Sequence, residues 1–155
     1  MDRSAGSLAA APPAAAAHTN MVSCIDCAAG EPLLVSASLD GTFAVWDLRR
    51  IGQQPVVAPV LARTVDQQSI LKVALADSPY PRLLAVATAL GLYAIDLKSG
   101  AADAVEIGAV ITAEPFDDLT QRQFNDVRWG SHAGRPALFA ACSDRPRVDV
   151  FYLAA

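Results

Sequence analysis

The sequence predicts an all-β fold made of three repeated units, each a set of short antiparallel strands. The segment LLVSASLDGTFAVWDL at 33–48 returns as LLAVATALGLYAIDL at 83–97 and, in a more divergent form, as ALFAACSDRPRVDVFYL at 137–153. Each copy has two short apolar runs around a polar or glycine-containing turn, and no long helical periodicity competes with this pattern. The repeat therefore indicates three similar β-hairpins.

Further strand-like runs flank these hairpins. One run precedes each hairpin: MVSCIDCA at 21–28, SILKVALAD at 69–77 and FNDVRWGS at 124–131. Another run follows the first two hairpins, PVLARTV at 59–65 and AVEIGAVI at 104–111, whereas the third copy stops after its third strand. The predicted unit is therefore four antiparallel strands, and the third unit lacks its outer strand.

A four-stranded repeat of this length is typical of a β-propeller blade, and the first copy resembles a WD40 repeat. In HTNMVSCIDCAAGEPLLVSASLDGTFAVWDL at 18–48, His18 stands where the Gly-His of the family ends, and Trp46 and Asp47 end the third strand. Ala17 departs from the glycine that is usual before the histidine. The resemblance implies a partial propeller of three WD40-like blades.

The blades are expected at about 18–65, 66–111 and 124–155, after a disordered Ala/Pro-rich leader at 1–17. Propellers close with about four to eight blades. Three blades thus predict an incomplete ring, whose other blades come from a longer sequence, from a blade-donating partner chain or from a second copy in a homo-oligomer. The exposed ends of such a wedge also predict association.

The resemblance implies a structural hydrogen-bond set in the first blade, formed by His18, Ser36 or Ser38, Asp40 and Trp46. The two serines and the aspartate share one face, because alternate residues of a strand point to the same side. A buried indole N–H also needs an acceptor. These residues are therefore expected to be structural, and the two other copies are expected to lack the set.

The composition excludes some classes of function and favours others. Hydrophobic residues make up 53% of the chain and charged residues 18%, which suggests surface that a partner covers. The net charge of -4 argues against nucleic acid as the primary ligand. Three cysteines form no disulfide framework, so a reducing compartment, cytoplasm or nucleus, is expected, with organellar targeting as an alternative. No run suits a membrane span.

Two groupings resemble chemical sites but lack the required context. Cys24 and Cys27 form a C-x-x-C pattern, yet residues three apart on a strand face opposite sides, and no second Cys/His pair follows. Ser131 and His132, with Asp117 and Asp118 upstream, supply the residue types of a hydrolase triad without a Gly-x-Ser-x-Gly turn. No metal, cofactor or catalytic residue is therefore expected.

A small basic patch is a candidate partner-binding rim. Gln121 and Arg122 lie in the loop that enters the third blade, and Arg145 and Arg147 lie in its hairpin turn. In a propeller these two kinds of loop emerge on the same rim, where they could bind an acidic or phosphorylated peptide. The alternative is a solvated turn with no partner.

The resemblance implies a non-catalytic protein–protein interaction scaffold in a multiprotein assembly. One alternative is an inositide-binding or membrane-surface-binding propeller, for which Arg49 and Arg50 are the candidate site. The other is a propeller-borne enzyme, which would require acids or metal ligands that converge on one rim.

Overall fold

The computed structural model describes residues 16–51, 53, 55–77, 82–99, 105–112, 124–143 and 146–152, with the backbone alone for 105–112. These residues form three antiparallel sheets and one turn of 3-10 helix. All but the last two positions of the predicted leader lie outside the described residues. Within the described ranges, no helix has the length and apolar character needed to cross a membrane.

The strands follow the chain order within each sheet. The first sheet contains β1 (Val22–Cys27), β2 (Leu33–Ser38), β3 (Thr42–Asp47) and β4 (Leu61–Thr64). The second contains β5 (Ile70–Leu75), β6 (Leu83–Thr88), β7 (Leu92–Ser99) and β8 (Val105–Thr112). The third contains β9 (Phe124–His132), β10 (Arg135–Cys142) and β11 (Val148–Tyr152). The all-β class with three units of antiparallel strands is confirmed.

The three sheets, which we call the first, second and third blades, share one strand register. The inner strands β1, β5 and β9 each have an irregularity directly after their first residue, Val22, Ile70 and Phe124 respectively. Counting along each strand from that irregularity gives equivalent positions in the three blades. This equivalence allows burial and contacts to be compared residue by residue.

Two hydrophobic clusters fill the gaps between neighbouring blades. The cluster between the first and second blades includes the fully buried Phe43 and Ile70. The cluster between the second and third blades includes the fully buried Phe124 and the buried Leu92. Each inner blade face is therefore covered by its neighbour, and this apolar burial stabilises the stack.

Polar contacts also join the inner strands across these gaps. The backbone N–H of Leu75 donates to Oδ2 of Asp26 at 2.8 Å, which joins the second blade to the first. The indole Nε1 of Trp129 donates to the carbonyl oxygen of Ala74 at 3.0 Å, which joins the third blade to the second. The order of the blades in space is thus their order along the chain.

Candidate functional site

The first blade contains a continuous chain of hydrogen bonds from β3 to the segment before β1. Nε1 of Trp46 donates to Oγ of Ser36 at 2.9 Å, and this Oγ lies 2.7 Å from Nε2 of His18. Nδ1 of His18 lies 2.7 Å from Oγ1 of Thr42, which in turn donates to Oδ1 of Asp40. This series of hydrogen bonds joins β2, β3, the turn between them and the segment before β1.

The Asp40 carboxylate, which only accepts, determines the direction of donation from His18 through Thr42. Thr42 has one hydroxyl proton and gives it to Asp40, so its oxygen accepts from Nδ1–H of His18. The Ser36 oxygen accepts from the indole of Trp46 and lies within hydrogen-bond distance of Nε2 of His18. Asp40 is therefore the final acceptor for the protons that His18 and Thr42 donate.

The Asp40 carboxylate also caps the β2–β3 turn. Its Oδ2 accepts from the backbone N–H of Thr19 at 2.6 Å and from the Thr19 hydroxyl at 3.1 Å, and its Oδ1 accepts from the Thr42 N–H at 2.8 Å. Burial raises the pKa of Asp40, but the hydrogen bonds from Thr42 and Thr19 together hold this pKa well below its usual range. Asp40 is therefore ionised at neutral pH and holds the turn together.

The structure distinguishes between the two serines proposed for this set and adds one residue. Ser36 lies between Trp46 and His18, whereas Oγ of Ser38 accepts from the backbone N–H of Asp40 at 3.1 Å. Thr42, which the sequence analysis did not include, separates His18 from Asp40. The Asp-Gly-Thr turn was the available signal, since an aspartate side chain in a turn often accepts from the backbone two residues on, which places Thr42 against Asp40.

The second blade lacks the WD40 pattern but has a different polar set. Asp66 lies four residues before β5, the place that His18 occupies before β1. Its Oδ2 accepts from the Thr88 hydroxyl at 2.7 Å and from the Tyr93 hydroxyl at 2.8 Å. Burial, and then the hydrogen bond and charge of Asp66, raise the pKa of Tyr93 to about 12. Sequence comparison between the blades did not reveal this set because its residue types differ from those of the first.

This second set predicts a specific loss of stability in alkali. The pKa of Tyr93 is about 12 in the folded chain against 10.0 for an ordinary tyrosine, so its contribution is complete below pH 10.0 and is lost as the pH rises through the folded value. We therefore expect the free energy of unfolding to fall more steeply above pH 10.0 in the wild type than in Tyr93→Phe. Urea melts on both sides of this pH measure the difference, with Tyr152→Phe as an exposed control. Equal slopes in the wild type and Tyr93→Phe would contradict the assignment.

The two arginines after β3 are paired with an aspartate of their own blade. The guanidinium group of Arg49 lies 2.7 Å from the buried Asp47 carboxylate, and that of Arg50 lies 3.7 Å from it. The Arg49 hydrogen bond holds the pKa of Asp47 below its usual value. Asp47 thus anchors the 3-10 turn Leu48–Arg50. Its negative charge also partly neutralises the two arginines of the candidate inositide-binding site.

The two cysteines of the C-x-x-C pattern are not brought together, and Asp117 and Asp118 of the candidate hydrolase triad lie outside the described residues. Cys24 pairs in register with Ala37 and Cys27 with Leu34, which places the two thiols on opposite faces of β1. Across the described ranges, no group of three His, Cys, Asp or Glu side chains could hold a metal ion. His132 is exposed, and its Nδ1 lies 2.6 Å from the Tyr152 hydroxyl.

The predicted partner-binding rim is only partly described. Gln121, Arg122 and Arg145 lie outside the described residues. Arg147 is exposed, and its Nε lies 2.8 Å from Oδ1 of Asp149 in a surface ion pair. The Asp149 carboxylate therefore neutralises the charge of Arg147, the one arginine of that rim that the structure describes.

Two sheet faces at the ends of the stack expose apolar side chains. We call the first-blade face that points away from the second blade the rear face, and the third-blade face that points away from the second blade the forward face. Ile25 on the rear face is 62% exposed, whereas Val73, its equivalent in the second blade, is 1% exposed. The rear face therefore exposes a residue whose equivalent is buried at a blade interface.

The forward face shows the same difference. Val148 and Val150 on β11 are 59% and 42% exposed, whereas their first-blade equivalents Phe43 and Val45 are fully buried. In the second blade the equivalent position of Val150 is the buried Ala94. Both ends of the stack thus carry apolar faces of the kind that neighbouring blades cover elsewhere in the chain.

Similarity to solved structures establishes the fold. The C-terminal WD40 domain of Sif2 superposes with a TM-score of 0.63 over 89% of this chain, and the Dos1 propeller with 0.64 over 86%, each at 18% sequence identity. The chain has a WD40-like β-propeller fold. It spans about a third of the length of these two structures, 35% and 33% respectively. No family model matches the sequence, and no curated protein matches it.

The hydrogen bonds of the first blade stay within that blade. They join β3, β2 and the segment before β1. Trp46 is half-buried and Ser36 is buried, so their bond is shielded from water. These residues therefore give the first propeller blade a rigid polar framework.

Proposed function

We propose that this chain is a non-catalytic protein–protein interaction scaffold, a segment of a WD40-like propeller whose two outer faces are covered by further blades. The observation that supports this most is the exposure of Ile25 and Val150 at positions that are buried between blades elsewhere in the chain. Large contiguous apolar faces rarely stay exposed in a protein without partners. The partners are therefore other polypeptides in an assembly.

The distribution of exposed apolar side chains supports the same proposal. Ten large hydrophobic side chains are exposed among the described residues, and five of them lie on the rear and forward faces. These five are Val22, Ile25, Val148, Val150 and Tyr152. The concentration on two opposite sheet faces favours end-to-end packing of blades over binding at a single rim.

The alternative functions receive less support from the described residues. Arg49 and Arg50 both pair with Asp47, which reduces the positive charge that an inositide headgroup would need. A propeller-borne enzyme has no specific observation in its favour. The three cysteines are unpaired, so we propose a reducing compartment such as the cytoplasm or nucleus.

Light scattering with size-exclusion chromatography tests the exposed faces in the isolated chain. We expect species larger than the 16.2 kDa monomer and binding of a dye that reports apolar surface, because both end faces are open. Ile25→Ser combined with Val150→Ser should reduce both signals. Val56→Ser, which changes an exposed apolar residue away from these faces, is the matched control. A monomer with a cooperative melt and no dye binding would contradict the proposal.

Affinity capture from cells tests the scaffold role itself. Proteins that the wild type captures should be lost when Ile25 and Val150 are replaced by serine, and they should be retained with Val56→Ser. The melting curves of all variants must agree with that of the wild type, so that loss of binding is separated from loss of folding. Capture that is equal in all variants would place the interaction elsewhere.

A further inference from the structure

The forward face of the third blade carries an arginine within its apolar surface. Arg128 pairs in register with Phe139, and Phe139 pairs with Val150, so the three side chains form one row on this face. Arg128 is exposed, and among the described residues no hydrogen bond or ion pair joins its guanidinium group to another side chain. Asp126 lies two residues earlier but is paired with Lys72 at 3.4 Å. Among the described residues, the Arg128 charge is therefore not offset.

The position of Arg128 is one that contacts the next blade. Its equivalent in the first blade is Asp26, whose side chain accepts a hydrogen bond from the backbone N–H of Leu75 in the second blade. Its equivalent in the second blade is Ala74, whose carbonyl oxygen accepts from Trp129 in the third. A side chain at this position can thus reach the inner strand of the blade that follows.

A blade packed on the forward face would remove Arg128 from water. The guanidinium group stays charged and has only donors, so it needs acceptors when it is buried. An unpaired buried charge strongly opposes packing, whereas a carboxylate on the partner would accept two parallel hydrogen bonds. The occupant of this face must therefore supply an acceptor at this point.

A second copy of this chain offers a poor match. In the geometry of the first interface, Arg128 would face the counterpart of Leu75, which in the first blade is Cys27. The group that Leu75 presents there is a backbone N–H, so Arg128 would meet a donor. The rear face near this point has the apolar Ile25, and Ser36 is already bonded within its own blade.

We propose that the forward face binds a further propeller blade that carries an aspartate or glutamate opposite Arg128, and that a second copy of this chain is not the occupant. This inference rests on the proposed function, since it assumes that a blade covers the face. It adds the chemistry that distinguishes the correct blade from an incorrect one. Arg128 is thus a specificity-determining residue of the interface.

A variant of this chain can act as its own binding partner in the test if a carboxylate is introduced on the rear face by substitution. Cys27 is exposed at the facing position, so Cys27→Glu should be tolerated. We expect sedimentation velocity of the 155-residue Cys27→Glu chain to show head-to-tail association at least about tenfold tighter than in the wild type, a change of about 1.4 kcal/mol. Adding Arg128→Glu to that variant should remove the gain, and Cys27→Lys with Arg128→Glu should restore it.

Controls separate this inference from the proposed function. Cys27→Gln supplies a similar side chain without the charge and should give little gain, and Arg63→Glu changes a surface arginine on β4 and should have no effect. A wild-type chain that forms a stoichiometric dimer unaffected by Arg128→Gln, or a Cys27→Glu chain with no gain, would overturn the inference while the scaffold proposal stands. Absence of association and dye binding in every variant would contradict both.

Discussion

Val73→Asp should remove a large part of the stability of the 155-residue chain, whereas Ile25→Asp at the equivalent position should leave that stability almost unchanged. Val73 is fully packed between the first and second blades, so an aspartate there would be a buried charge without a partner. The expected loss is about 4 kcal/mol or more, against a total stability of about 5–15 kcal/mol for a domain. Ile25→Asp changes an exposed side chain and should cost less than about 0.5 kcal/mol.

Urea melts followed by far-ultraviolet circular dichroism measure both variants. Val73→Ala removes volume without adding charge, so its stability should lie between those of the wild type and Val73→Asp. The comparison also tests the rear face directly. Equal destabilisation by Ile25→Asp and Val73→Asp would show that Ile25 is buried in the isolated chain, contrary to the structure.

Asp40→Ala should lower the free energy of unfolding by about 1–3 kcal/mol, because the hydroxyl of Thr42 and the backbone N–H of Thr19 would lose their acceptor. Without that acceptor the Thr42 hydroxyl is no longer held as an acceptor for Nδ1–H of His18. Thermal and urea melts measure the loss. Partner binding should fall only in proportion to the unfolded fraction.

Two controls test whether Asp40 acts through the hydrogen-bond chain. Thr42→Val removes the link to His18, and the double variant with Asp40→Ala should cost less than the sum of the single changes. The pKa of Asp40 lies below its ordinary value of 3.8, so its contribution is present above that pH and is lost as the pH falls. An Asp40→Ala chain of unchanged stability that fails to bind partners would contradict the structural role.

The strand order and the polar framework of the first blade were accessible from the sequence because they depend on local pattern. Antiparallel strands pair with their neighbours along the chain, so the apolar runs and the turn at 33–48 predicted a hairpin where the structure has β2 and β3. The WD40 resemblance pointed to His18, Ser36 and Trp46, which the structure places in one hydrogen-bonded chain. Each of these features is confined to a single repeat.

Contacts that form only when the loops fold could not be predicted from the sequence. Thr42 lies between His18 and Asp40 only because the β2–β3 turn brings its hydroxyl against the imidazole. Asp66 lies at the position of His18 in the repeat, but it bonds to Thr88 and Tyr93 through residue types that the first blade does not share. Their residue types gave no motif, so only the folded chain identified them.

The sequence by itself determined the three blades, their strands and the polar residues of the first blade, since these follow from alternation, turns and a repeated motif. Only the tertiary structure determined which apolar positions are covered. Ile25 and Val73 are both β-branched residues at equivalent positions, yet one is exposed and the other is buried. Burial of a sheet face depends on whether another sheet packs against it, and that is a property of the stack of blades that no single strand encodes.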